Sequence, residues 1–267
     1  MKLTSDFAGG HIRAAVHDGT GALIIDNGAR KNALTLAMWH AIPDAIQWLV
    51  ADAKARAIVL TGGGQSDFSA GADISEFPDV RHDAASAGVY EATNSRAFSA
   101  IRDARVPMIA AVRGICYGGG FGLAAACDLR IADETAAFAV PAARLGLAYP
   151  ADAVRDFAIA LGSQWTRKAL FTGAAMSPQE LLQNGFLLEV TAAEALDAAA
   201  FTLAETIANN APLSVQASKL ALRAFEQGDQ TLLSEAQITG ASTFDSADYR
   251  EGRAAFAERR APAFTGR

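Results

Sequence analysis

The sequence predicts an α/β fold whose last third is helical. Short apolar runs of strand length alternate with helix-like segments as far as about residue 150. Beyond about Asp152 the strand signal stops, and Gly162, Gly173, Ser177-Pro178, Asn184-Gly185 and Asn209-Asn210-Ala211-Pro212 divide the chain into helices. The third observation is central. The apolar run Met108-Ile109-Ala110-Ala111-Val112 leads into Ile115-Cys116-Tyr117-Gly118-Gly119-Gly120-Phe121-Gly122, and an alanine-rich segment of high helix propensity follows. Strand, glycines, helix is an order that presents free backbone N–H groups at a helix start. Tight packing of helix on strand is the other reading of the same glycines.

Taken in order, Ile12 to His17 and Ala22 to Asp26 read as strands joined by a hairpin turn at Asp18-Gly19-Thr20-Gly21. Asn27 to Asn32 is a loop. Thr35 can cap a helix to about Val50, with Leu36, Trp39, Ile42, Ile46 and Leu49 at helical spacing. Pro43 inside that pattern marks a kink or an altered start. Ala57 to Leu60 is the next strand; it leads through Thr61-Gly62-Gly63-Gly64 to the small-residue stretch Phe68-Ser69-Ala70-Gly71-Ala72-Asp73-Ile74. Ala84 to Arg105 is helical in composition, and Val106-Pro107 opens the central strand. Leu129 to Ala132 and Ala137 to Val140 are two further strands. In the helical tail, Leu213, Val215, Leu220, Leu222 and Phe225 read as core or as contact between subunits.

Composition narrows the function. With 51% hydrophobic and 19% charged residues, the chain can fill an ample globular core. Its net charge of −6 argues against nucleic acid or an anionic membrane as partner. An anionic ligand held by a local basic patch stays open. No apolar run nears the ~20 residues of a membrane span, and Met1 to Asp6 carry no signal-peptide pattern. Cys116 and Cys127 are the only cysteines and form no disulfide framework, so they read as reduced thiols of a cytoplasmic protein. Cys116, beside the glycines, reads as a packed thiol, with a nucleophile as the alternative.

Two small-residue segments, each after a strand, could each supply one amide to a single thioester oxygen, as enolate-forming chemistry requires. Asp73, beside the glycine turn, reads as a capping or pairing carboxylate. On these residues the chain resembles the crotonase (enoyl-CoA hydratase/isomerase) superfamily. The resemblance rests on Phe68 to Ile74, on Gly118 to Gly120, on Pro141-Ala142-Ala143-Arg144-Leu145-Gly146-Leu147, and on the ending Glu258 to Arg267. It covers nearly the whole chain in the family's order.

The resemblance implies an α/β, crotonase-like spiral of repeated ββα turns over residues 1–200. A C-terminal helical region, 201–267, would then form a homotrimer, two trimers pairing as a hexamer. It implies an acyl-CoA thioester as substrate, coenzyme A being part of that substrate and no further cofactor being needed. Ala72 and Gly119 would donate to the thioester oxygen. Arg30 and Lys31 resemble the basic pair that holds the CoA phosphates, and the backbone around Ala70 accepts from the adenine amino group. Gly71, Asp73, Ile74 and Gly118 complete the implied substrate-binding set. His82, Tyr90 and Glu91 fall where the family places a mobile flap; they read as solvent-facing, with pocket positions as the alternative.

The pattern fails at two positions. Hydratases of this family hold and activate a water with two glutamates. The first position is Gly122 here and the second falls at Ala142, an interval of 20 residues that matches the family's. Neither residue can orient water or carry a proton, so standard hydration is disfavoured while the thioester site is kept. Tyr149 stands where the family's methylmalonyl-CoA decarboxylase carries an active-site tyrosine. That local resemblance extends to Phe68 to Gly71 and to Asp245 to Tyr249, although Ala72 replaces a histidine. Decarboxylation needs an oxyanion hole but no strong base. Asp152 lies two residues beyond an aspartate position of the dienoyl-CoA isomerases and an aryl-CoA dehalogenase, which Pro150 occupies; it is a pocket group or a helix N-cap. Tyr149 is a pocket or packing residue, and Arg144 pairs a substrate carboxylate or another subunit. The readings, in order, are an enolate-forming isomerase or decarboxylase/lyase, an inactive acyl-CoA binding module, and a hydratase that recruits Glu76 or Glu91.

Overall fold

The computed structural model describes residues 3–267; Met1 and Lys2, the start of the stretch read for a signal pattern, lie outside the described residues. Strands β1 (Leu3–Phe7), β2 (Ile12–His17) and β3 (Thr20–Ile25) open the chain. His17 pairs with Thr20, so the hairpin loop is Asp18-Gly19 alone, with φ of 48° and 79°. Two positive φ values are the type I′ turn that Asp-Gly favours, which leaves Thr20 and Gly21 in the strand.

Helix α1 (Leu36–Gln47) starts at Thr35, whose hydroxyl accepts from the Met38 N–H, a cap worth ~1 kcal/mol. Pro43 lies within the helix without ending it, and a wider turn follows at Trp48–Asp52. Then come β4 (Ala57–Gly62), α2 (Phe77–Val80), α3 (Ala84–Arg102), β5 (Met108–Val112), β6 (Ile115–Tyr117) and α4 (Gly119–Ala126). The second half holds β7 (Leu129–Asp133), β8 (Ala137–Ala139), α5 (Ala151–Thr172), α6 (Pro178–Gln183), β9 (Glu189–Thr191), α7 (Leu196–Ala208), α8 (Pro212–Gln227), α9 (Gln230–Ser242) and α10 (Ala247–Glu258).

Seven strands form one sheet in the order β1-β2-β3-β4-β5-β7-β9, while β6 and β8 form a second. From β3 onward every pairing is parallel. The ββα turns follow from this division. β5 joins the large sheet, β6 the small one, and α4 closes the turn; β7, β8 and α5 repeat it. In the turn before them, β4 is followed by Ser69, which bridges to Cys116 of β6, and then by α3. Parallel strands are covered on both faces and read as unbroken apolar runs. All five residues of β5 are buried accordingly.

The helical tail is not free of strands. β9 pairs parallel with β7, fixed by Leu188 N–H to the Arg130 carbonyl and Glu134 N–H to that of Thr191. Three residues, Glu-Val-Thr, show no period of their own; the waiting edge of β7 makes them a strand. Gly162 (φ +72°) bends α5 rather than ending it. The 200/201 division falls inside α7, whose fully buried Leu196, Ala200 and Ala204 pack on Ala57, Val59, Ile109, Ala111 and Ile131 of the sheet. On α8, Leu222 and Phe225 are 63% and 85% exposed, so they are not core of this chain. The buried positions are Ala217, Lys219 and Ala224, and the Lys219 ammonium donates to the Val106 carbonyl and, at 2.7 Å, to Asp128. Among the described residues no helix is long and apolar enough to cross a membrane, and no cluster of metal-ligating side chains occurs.

Candidate active site

Beyond the C-terminal ends of β4 and β5, two loops meet backbone to backbone. Ser69 N–H donates to the Ile115 carbonyl and Tyr117 N–H to that of Ser69, both at 2.9 Å. Gly71, at φ +89°, is where they come closest: a Cβ there would lie 2.7 Å from the Tyr117 oxygen and 2.9 Å from the Gly119 nitrogen. Only glycine fits. From the other side the loop before α1 grips the same segment. Ala70 N–H donates to Lys31 O, Leu34 N–H to Gly71 O, and Asp73 N–H to Leu34 O. Fully buried Asn32 gives its amide to the carbonyls of Gly63 and Asp67, and its own carbonyl accepts from the Ser69 hydroxyl.

These bonds pass over the N–H of Ala72 and that of Gly119, the first residue of α4. Among the described residues neither donates to a protein acceptor. Both residues line one cavity of about 90 Å³, together with Ala70, Ile74, Gly118 and Ala142. A free N–H at a helix start carries partial positive charge and suits a developing oxyanion.

Aromatic side chains form much of the wall. A Cβ on Gly119 would strike the Trp39 ring at 2.7 Å, and Phe98 packs edge-on against Trp39 with centroids 5.6 Å apart. The Trp39 indole N–H donates to the Tyr90 hydroxyl at 3.1 Å. Tyr149 donates its hydroxyl to the Gly118 carbonyl at 2.9 Å, which also accepts from Gly122 N–H at 3.0 Å. That carbonyl and the Gly119 N–H are opposite ends of one planar trans peptide. Tyr149 therefore fixes the direction in which the Gly119 N–H points. Its low-polarity surroundings push the phenol well above its ordinary pKa, the negative charge of Glu91 adding to this, so it stays neutral.

Arg81 and Glu91 face the cavity as an ion pair. The guanidinium also lies over the Phe77 and Tyr90 rings, 5.0 and 5.5 Å from their centroids. Burial raises the pKa of Glu91; Arg81 opposes the rise and the Asp152 carboxylate adds to it. Burial likewise pushes Tyr90 up to about 12. At the cavity rim, Arg30 donates to both oxygens of Asp73 at 3.0 Å and to the Ser75 hydroxyl at 2.6 Å. Burial works to raise the Asp73 pKa, but the bonds from Ser75 and the Arg30 charge outweigh it and hold the carboxyl low. Asp73 also caps the short turn Ile74–Glu76. Lys31, at φ +54°, stays exposed next to Arg30.

Several expectations are corrected. Asp152 is neither N-cap nor wall: Pro150 takes the cap position and lines the cavity, while Asp152 sits in the first turn of α5, where a carboxylate suits the helix dipole. Glu76 accepts from Leu36 N–H at 2.7 Å at the start of α1 and does not line the cavity. Of His82, Tyr90 and Glu91, only His82 is exposed; Tyr90 is buried and Glu91 lines the cavity. Arg144 donates to the Thr172 carbonyl within the chain, which leaves open its pairing with a substrate carboxylate or another subunit. Cys116, by contrast, is the packed thiol expected of it: it is fully buried, and that burial pushes its thiol well up. Sequence reasoning missed Arg81, Asn94, Phe98 and, as wall residue, Trp39. The signal for Trp39 existed, but a helical apolar stripe looks the same whether it meets core or cavity.

The fold and this loop pair define a class. The enoyl-CoA hydratase/isomerase family model matches residues 17–267, and the chain belongs to that family. It is 33% identical over 256 residues to a carnitinyl-CoA dehydratase from Proteus mirabilis, with 92% of this chain and 94% of that protein covered. Among solved structures it is similar to an enoyl-CoA hydratase/isomerase family protein from Hyphomonas neptunium. That match has 35% identity and a TM-score of 0.91 and covers 96% and 98% of the two chains. An enoyl-CoA hydratase from Bacillus anthracis gives 27% identity and a TM-score of 0.90, with 96% and 100% covered. None of these three is named a decarboxylase, so the narrower resemblance around Tyr149 gains no support from them.

Proposed function

We propose that this family member processes an acyl-CoA through a thioester enolate, as an isomerase or a decarboxylase/lyase rather than a standard hydratase. The observation that carries the reading is the pair of unbonded N–H groups, at Ala72 and Gly119, on the wall of one cavity. Such donors stabilise charge on the thioester oxygen, and removal of one typically costs ~10²–10³ in rate. The loss of both glutamates argues against hydration, because one water must be both held and deprotonated. Arg30 and Lys31 take the CoA phosphates, with Ala70, Gly71, Asp73, Ile74 and Gly118 along the cleft. Tyr149 acts on the oxyanion loop, and Asp152 is left with a minor electrostatic part. The dehydratase name of the Proteus relative describes hydration run in reverse, so it favours the alternative of a hydratase with a relocated acid/base group. The chain works as a homotrimer or a pair of trimers, and its buried free thiols suit the cytoplasm.

Infrared difference spectroscopy with butyryl-CoA labelled with ¹³C at the thioester carbonyl tests this. Two converging N–H donors lower the stretching frequency of the bound carbonyl relative to that in water. Binding without such a shift removes the oxyanion hole, and no binding at all removes the acyl-CoA reading.

A further inference from the structure

The cavity wall holds one carboxylate among the described residues that line it, and it is at neither family position. Glu91 sits on α3, with Asn94 and Phe98 one and two turns further along the same lining face. One Glu91 oxygen, Oε1, is bound by Arg81; the other, Oε2, is buried with no hydrogen-bond partner, as is Oδ1 of Asn94. An orphaned buried acceptor is costly, so its partner is to be sought outside the chain. Arg81, held over two rings, keeps the carboxylate from turning. The free N–H groups of Ala72 and Gly119 line the same small space.

We infer that Glu91 is the catalytic base of this site, moved from the vacant positions 122 and 142 onto helix α3, with Arg81 as its positioning residue. The inference rests on the acyl-CoA reading above. Its step balances without any co-reactant. Glu91 takes the proton from the α-carbon of a bound acyl-CoA, and the C–H electron pair forms the Cα=C bond of the enolate. The carbonyl π pair moves onto oxygen, facing the Ala72 and Gly119 N–H groups, and return of the proton from the Glu91 carboxylic acid reverses the step. Two charged groups act on Glu91, Arg81 from the turn after α2 and Asp152 from the first turn of α5, while Tyr149 nearby is neutral. Burial and Asp152 make it a stronger base than an ordinary glutamate, and Arg81 restrains that.

The test is exchange of the α-protons of butyryl-CoA in D₂O, followed by mass spectrometry, alongside its Kd and a pH profile. Wild type exchanges with a pH midpoint above the ordinary glutamate range. Glu91→Gln lowers the rate at least 100-fold with Kd changed less than threefold, and Glu91→Asp recovers part of it. Arg81→Met moves the midpoint to higher pH, which a merely structural Arg81 would not do. Exchange by Glu91→Gln within threefold of wild type overturns the inference and leaves the acyl-CoA reading standing. Wild type that binds butyryl-CoA with a shifted carbonyl band but never exchanges overturns it as well. Wild type that binds no acyl-CoA overturns both. Should Glu91→Gln fail to fold, Glu91→Asp decides: an unchanged rate and midpoint overturn the inference.

Discussion

The Tyr149 hydroxyl oxygen lies 2.6 Å from the place where a Cβ on Gly122 would stand, and two Phe98 ring carbons lie at 2.9 Å. The space that a glutamate at 122 would need is filled by rings. The vacancy at 122 and the tyrosine at 149 are thus one structural fact, and restoring the carboxylate alone cannot restore a hydratase. Gly122→Glu is expected to cost ~1–3 kcal/mol through overpacking, at roughly 2–4 °C of Tm per kcal/mol. It should add no hydration of crotonyl-CoA. Pairing it with Tyr149→Ala should recover part of the loss, a non-additivity that a double-mutant cycle in denaturant reads directly. Additive costs would show that the two sites do not share this space.

Tyr149→Phe removes the hydroxyl that holds the Gly118 carbonyl and keeps the ring in place. The Gly122 N–H still holds that carbonyl, so only one of two tethers on the Gly118–Gly119 peptide is lost. A single hydrogen bond of this kind is worth ~0.5–1.5 kcal/mol, which is roughly a two- to tenfold fall in α-proton exchange. The pH profile should not move, because the phenol stays protonated throughout. A loss beyond about 100-fold with an altered profile would make Tyr149 a proton carrier instead.

Much of this was legible in the sequence, and the rest fails for identifiable reasons. The loops at Ala72 and Gly119 could be placed because glycine is the residue that permits close backbone approach, met at 71 and 120, and a positive φ, met at 71 and 118. Strands β4 and β5 could be placed because buried parallel strands are near-continuous apolar runs, whereas β7 carries Arg130 and Asp133 and shows the pattern only in part. Glu91 and Arg81 could not be ranked, since a charge on a helix normally faces water and only the packing of α3 over the cavity reverses that. β9 has too few residues to show a period. Asp152 is drawn toward the pocket by its nearness to the aspartate position that Pro150 occupies, but the helix begins at Ala151 and Asp152 does not line the cavity.

Glu91 also leaves a mark on stability. Its folded pKa lies above the ordinary glutamate value, so the folded chain keeps a proton that the unfolded chain releases first. For a raised carboxyl the favourable contribution is full at low pH, declines as pH rises from the unfolded value through the folded one, and is then level. Glu91→Gln cannot titrate. The difference in Tm, wild type minus Glu91→Gln, should therefore fall across that interval and stay flat above it. A difference that grows with pH would mean that Arg81 outweighs burial and that Glu91 is an ordinary ion-pair partner.

The exposed face of α8 sets the last expectation. Leu222 and Phe225 lie three residues apart on one side of the helix, and Ile238 of α9, Phe244 in the turn between α9 and α10, and Phe256 of α10 are 71%, 65% and 87% exposed. Scattered single apolar residues need no explanation, but large side chains concentrated on the final helices of one chain point to burial by another copy. Sedimentation equilibrium should give three or six chains per particle. Leu222→Glu and Phe225→Glu each place a charge at the centre of such a contact, and leaving it there unpaired costs more than the side chain's lost packing. Both should shift the particle toward monomer while the far-ultraviolet circular dichroism stays unchanged, since neither side chain supports the chain's own core. A wild-type monomer at micromolar concentration would remove the trimer from the account, and variants that stay fully assembled would move the contact off α8.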